Sequence, residues 1–327
     1  MGEIRAQLPA KPHPNARFPS DVADTCEAAG FLQLKDPLES ISSRKSSTPK
    51  LSSLLALRRH DKKSDPADPT AKFIQELQSD LETVYVGQTC LSWEFLHWQY
   101  EKSHELSDSD PHSCRRYNQV AGEFQQFQVL LQRFLENEPF QGPRVQTYVK
   151  TRCVLKNLLQ VPEIKEDCLK ERMEEKKKGH GSVTSEMLMA IIDESMRIFW
   201  LFVKADKEES NAILKGSSRT KAQLEDPADL KLFEQVQAEL LKREKKLKEL
   251  HRTGNCLVKK FQKARGDPMS HRAFFFAQVD LRLVSRVLRK SRITSDQLLW
   301  CHKKLNKVAF HDRKLHREPS FLPFPCC

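Results

Sequence analysis

The chain has 327 residues, with 55 Lys and Arg against 44 Asp and Glu and a formal net charge of +11. An apolar share of 39% is low for a fully packed protein of this length, so polar linkers or tails must take up part of it. Ten glycines beside 30% charged residues disfavour sheets and glycine-rich phosphate loops, and the expected class is all-α.

Residues 1–67 carry prolines, serines and mixed charge without sustained periodicity, and a disordered N-terminal region is expected there. Within it Ser46, Ser47 and Thr48 stand beside Arg44, Lys45 and Pro49. Phosphorylation at these hydroxyls would change the local charge by about two units, although the composition is also ordinary linker chemistry.

Folded structure is expected to begin at Asp68-Pro69-Thr70, a cap followed by a first-turn proline. Phe73, Ile74, Leu77, Leu81, Val84, Leu91, Phe95 and Trp98 then recur at helical spacing, which predicts a long helix over about 70–104. "SDSDPHS" breaks it, and a second helix over about 115–138 follows, with Phe124, Phe127, Leu130, Leu131, Phe134 and Leu135 on its apolar side. "NEPFQGP" reads as a turn, and a third helix over about 143–160 stops before Pro162.

Residues 165–183 read as a polar linker, and a fourth helix covers about 184–206, with Asp193 and Arg197 expected to pair one turn apart. A second polar linker, 208–226, leads to a strong helix start at Asp226-Pro227. Phe233, Val236, Leu240, Leu247, Leu250, Leu257 and Phe261 follow a 3-4 spacing broken at Arg243 and Gly254. That pattern predicts a coiled-coil-like helix with an antiparallel partner in the same chain. A sixth helix is predicted over about 269–290. Thr294 and Gln297 have capping-box spacing before a final helix over about 295–316. Residues 319–327 are expected to form a flexible tail, and 68–318 an elongated bundle of about seven helices.

No GxSxG, HExxH, Walker or dinucleotide-binding motif is present. Cys301-His302, His311 and His316 share the predicted last helix but do not form an i, i+4 ligand pair, and neither metal nor cofactor is expected. Cys326-Cys327 lacks a CaaX box. The most apolar run, 187–203, is interrupted by Asp193, Glu194 and Arg197, so no transmembrane segment is expected. Nine cysteines in no regular framework, without a secretory apolar region, point to the cytosol or nucleus.

Two stretches carry the candidate residues. In "YVGQTCLSWEFLHWQYEK" (85–102), Tyr85, Trp93, Trp98 and Tyr100 are expected in the aromatic core. Gln88, Ser92 and Gln99 form a polar seam that either sets the register of neighbouring helices or lines a groove, while Gly87, Glu94 and Glu101 are placed toward water. An enzyme pocket here would draw on Gln88, Ser92, Glu94 or His97.

The second stretch, 280–318, holds eleven Lys and Arg against four Asp and Glu. Arg282, Arg286, Arg289 and Lys290 recur as a stripe for anions opposite Leu281, Leu283, Val284 and Leu288, extended by Arg292, Lys303, Lys304 and Lys307. No aromatic residues for base stacking are interleaved in it. A solvated face, RNA or ribosome contact, and an acidic protein partner remain open as readings of this stripe.

"YVGQTCLSWEFLHWQYEK", "FQQFQVLLQRFLENEPFQGPRVQTYVKTRCVLKNLLQVP", "IIDESMRIFWLFVKADK" and "WCHKKLNKVAF" together resemble the plant family called domain of unknown function 1666, over about 80–310. Members often carry a large-subunit ribosomal protein label. The resemblance implies a helical plant protein with no established activity and no catalytic residues to carry over. The resulting expectation is a non-enzymatic interaction or scaffold module whose protein partner the sequence does not name. The alternative is an RNA- or ribosome-associated protein that binds through the basic C-terminal helices.

Overall fold

The computed structural model describes residues 69–109, 115–167, 182–211, 224, 226–254, 268–311, 314–319 and 321–325. All of these fall within 58–327, one of the two units into which the chain divides. Ser46, Ser47, Thr48, Leu257, Phe261 and Cys326-Cys327 lie outside the described residues.

The elements are α1 (Pro69–Ser109), α2 (Asn118–Gln141), α3 (Arg144–Val154), α4 (Ser185–Asn211), α5 (Pro227–Gly254), α6 (Pro268–Val287) and α7 (Ser295–Asn306). An antiparallel hairpin, β1 (Val308–His311) and β2 (Lys314–Arg317), follows. Seven helices and one small hairpin among the described residues make the fold all-α. None of these helices is long and apolar enough to cross a membrane.

Apolar spacing places each helix. Phe124, Phe127, Leu130, Leu131 and Phe134 of α2 are all buried, as are Leu188, Ile192, Phe199, Phe202 and Val203 of α4. Packing runs α2 on α4 and α4 on α1, with α1 also against α3 and α6. The 3-4 seam of α5 finds its partners within the chain, in α6 and α7.

Capping explains several boundaries. Thr294 and Gln297 form a reciprocal capping box that starts α7, each side chain accepting from the other's backbone N–H at 3.4 Å. No side chain of its own caps α2. Instead the Asp167 carboxylate accepts from the N–H groups of Asn118 (2.7 Å) and Gln119 (3.2 Å). Gly142, at φ 99°, supplies the positive-φ residue needed to turn α2 directly into α3.

Four sequence expectations are corrected here. The turn expected at "NEPFQGP" is shorter, because α2 continues through Pro139 to Gln141 and ends only at Gly142. The third helix ends at Val154, and residues 155–160 leave the helix to reach Leu159, which sits at φ 65°. The last helix ends at Asn306, and the hairpin replaces its predicted C-terminal half. Arg243, which broke the α5 seam, donates to the Val308 carbonyl (3.1 Å), and the Glu318 N–H donates to Lys307 O (3.1 Å). The expected tail is packed over 321–325. Phe324 is buried edge-on to Trp300, whose indole N–H donates to Leu322 O at 3.0 Å.

Arg197 pairs with Glu194 (2.9 Å) in place of Asp193, and both partners are exposed.

Candidate functional site

The conspicuous motif of α1 organises two buried ionic clusters. At the first, the Tyr85 hydroxyl donates to Asp206 of α4 (3.1 Å) and accepts from Arg144 Nε (2.7 Å). Arg144 opens α3, grips both Glu138 oxygens at 2.6 Å and donates to Phe202 O at 2.7 Å, with its guanidinium over the Phe202 ring. Arg286 of α6 closes the cluster, donating to Asp206 (3.0 Å) and Glu82 (2.9 Å). Burial pushes the Tyr85 phenol up, so it remains a neutral donor.

Two turns along α1 lies the second cluster. Trp93 Nε1 donates to Asp280 Oδ1 (2.7 Å), which also meets Lys304 Nζ (3.0 Å), while Arg317 Nε donates to Asp280 Oδ2 (2.7 Å). Lys304 also pairs with Glu94, whose other oxygen accepts from the Leu322 N–H (3.1 Å). Burial would raise the Asp280 carboxyl, but Lys304 and Arg317 outweigh it and hold it well below the usual range. For Lys304, burial acts to lower the ammonium's pKa, and Asp280 with Glu94 overcomes it, so the pKa is raised. Burial pushes the Glu94 carboxyl up against the pull of Lys304.

His97 completes the cluster. Burial, followed by the Arg317 charge, pushes it down to about 3. The neutral ring faces the Arg317 Nη1 donor at 2.9 Å, so the 3.6 Å approach of Glu101 to the same nitrogen is not an ion pair. Glu94, assigned to water by the helical wheel, is 2% exposed, and Gly87 is buried as well. The wheel fails at Glu94 because Lys304 of α7 and the Leu322 N–H of the C-terminal segment meet it, while Glu101 is exposed as expected.

The polar seam is satisfied within the fold. Gln88 Nε2 (3.2 Å) and Ser92 Oγ (2.5 Å) both donate to Leu159 O, and Gln99 Oε1 accepts from the Ile164 N–H (2.9 Å). Its partners are thus the backbone of the irregular 155–167 segment and not a neighbouring helix. Two carbonyl contacts hold Leu159 in its positive-φ conformation. Tyr85, Trp93 and Tyr100 are core residues, with Trp93 stacked on Phe199 at 5.8 Å. Trp98 is only half-buried and carries Lys102 over its ring at 5.3 Å.

The expected basic stripe does not face solvent as a unit. Arg286 is buried on its carboxylates, and Lys290 is buried and donates to Gln297 Oε1 (2.7 Å). Arg289 is half-buried, and its Nε and Nη2 lack a hydrogen-bond partner among the described residues. Arg282 lies 5.6 Å from the centre of the Trp200 ring.

Arg282 borders a groove of about 370 Å3 between α4, α5 and α6. Leu247 and Leu281 form its floor, Trp200 and Phe274 its aromatic walls, and Lys248 and Arg252 its exposed cations, with Glu244 as the one carboxylate. Periodicity could not reveal this set, because it comes from three helices. A second cleft, between α2 and α3, has a volume of about 330 Å3. Glu94, His97 and Asp280 line neither one.

No curated protein matches the chain, and no solved structure does. The family described as "Protein of unknown function (DUF1666)" matches residues 79–325, which contain both ionic clusters and both clefts, and the chain belongs to that family.

Proposed function

We propose that this protein is a non-enzymatic interaction module, a helical frame that presents clefts to partners. One observation carries the reading: Glu94, His97 and Asp280, the groups best suited to acid–base work, are buried on protein partners, while the clefts are apolar and rimmed by cations. Buried, fully partnered networks of this kind specify how helices meet.

A turnover screen on the purified full chain, run beside Glu94→Gln and His97→Gln, tests it. The expected result is no turnover from any of the three and a lower unfolding midpoint for both variants. A turnover that Glu94→Gln abolishes while the midpoint is unchanged overturns the reading.

A second reading, association with RNA, has its own support. The α4–α5–α6 groove brings Trp200 and Phe274 beside Lys248 and Arg252, the aromatic and cationic pairing that the stripe itself lacked. A large-subunit ribosomal role in a plant cell would fit this reading. Binding of single-stranded RNA that weakens steeply with salt and is lost in Trp200→Ala with Arg252→Glu supports it. Binding that ignores both variants removes it.

A further inference from the structure

The α2–α3 cleft combines an apolar surface with cations on one face. Exposed Val154 and Leu155 make it apolar over a floor of the core residues Leu130 and Phe134. Arg133 and Lys150 line it, and no carboxylate does. Val154, at the end of α3, is 80% exposed, and Leu155 beside it is exposed as well. Exposed apolar surface gathered at a cleft marks a contact site, whereas the same residues scattered singly would need no explanation.

The walls are fixed before anything binds. Arg144, held by Glu138, Tyr85 and Phe202 O, sets the start of α3 against the end of α2. Thr151 Oγ1 donates to Thr147 O (2.8 Å) and Thr147 Oγ1 to Gly142 O (3.4 Å), so both hydroxyls of the cleft are satisfied within α3 and the turn before it. A rigid wall lowers the ordering cost of binding.

Resting on the interaction-module reading, we propose that this cleft docks an acidic amphipathic segment of a partner protein. A leucine or phenylalanine of that segment fills the space against Leu130, Phe134 and Val154, and flanking carboxylates meet Arg133 and Lys150. Charge decides the occupant. The lining carries two cations and no anion, so an acidic helix is complementary and a basic one is repelled.

The experiment uses the purified full chain and a fluorescein-labelled helical peptide with leucines at i and i+4 among glutamates. A second peptide with lysines replacing the glutamates is the control. The acidic peptide is expected to bind and the lysine peptide not to. Arg133→Glu with Lys150→Glu, and separately Val154→Asp, should each weaken binding about tenfold or more, and Lys248→Glu in the other groove should leave it unchanged. Equal binding of the two peptides, binding untouched by the cleft variants, or no binding of the acidic peptide overturns the proposal. So does a concentration-dependent dimer, or sedimentation with phosphatidylserine vesicles, that Val154→Asp abolishes, since either gives the face another occupant. If crosslinking in cells finds the same partners for wild type and for the Arg133→Glu, Lys150→Glu chain, the cleft assignment fails and the interaction reading stands. A turnover abolished by Glu94→Gln fails that reading instead.

Discussion

Asp280 and Lys304 meet at 3.0 Å with both side chains almost fully buried, and each is held by a second opposite charge, Arg317 for the aspartate and Glu94 for the lysine. Four charges from α1, α6, α7 and β2 therefore neutralise one another inside the protein. The arrangement ties the C-terminal third of the chain to the helix that begins the described fold.

Removing one member leaves the others uncompensated. Lys304→Met should destabilise the protein by about 3–5 kcal/mol in urea unfolding, the range for breaking a buried pair. Glu94→Gln combined with Lys304→Met should lose less than the sum of the two single changes, because the stranded carboxylate is gone. A Lys304→Met loss under about 1 kcal/mol counts against an organising role.

Stability should fall with pH through His97. In the fold its pKa is lowered to about 3, by burial and then by Arg317, whereas the unfolded chain protonates it near 6.5. Below about pH 6.5 the unfolded state binds the extra proton, and this one group costs about 1.4 kcal/mol per pH unit until the folded ring itself protonates. Arg317, Asp280, Lys304 and Glu101 all face the ring. Asp280, whose folded pKa is depressed, loses its own contribution only at lower pH, and Glu94, raised by burial, works in the opposite sense. His97→Gln removes the titration, so the stability difference between wild type and variant should shrink between about pH 6.5 and pH 5. A constant difference would contradict the assignment.

Arg144 cannot be replaced by another cation. It donates from three nitrogens to Glu138, Tyr85 and Phe202 O, and an ammonium on a flexible stem does not reproduce that fork. Arg144→Lys should cost about 3 kcal/mol and should raise amide exchange at the start of α3, as read by hydrogen–deuterium exchange. Unchanged exchange there would show the α2–α3 corner to be held by other contacts.

The C-terminal segment should behave as part of the core. Phe324→Ala removes a buried ring from Trp300 and should cost about 3 kcal/mol, with a red shift in tryptophan emission. An unshifted spectrum and unchanged stability would return residues 321–325 to the status of a tail.

Local signals were legible wherever the cause was local. The capping box at Thr294, the 3-4 apolar spacing of α5 and the buried face of α2 all depend on residues within a turn or two of one another. Charged residues were misread by the same logic. On a helical wheel Arg286 and Lys290 lie away from the apolar side and look solvated, as Glu94 does. What buries Arg286 is Asp206 and Glu82, 80 and 204 residues away in the chain. The seam residues Gln88, Ser92 and Gln99 were recognisable as buried polar groups, but their partners are carbonyl and amide groups of a segment without periodicity.

The sequence alone determined the all-α class and the approximate course of the helices, because propensity, spacing and caps act over a few residues. Tertiary structure alone decided that the C-terminal stretch becomes a hairpin and a docked segment, and that its cations turn inward. It also decided that two apolar clefts stay open. Each of these outcomes depends on carboxylates, carbonyls or rings brought together from distant helices, and a buried charge is tolerated only where such partners converge.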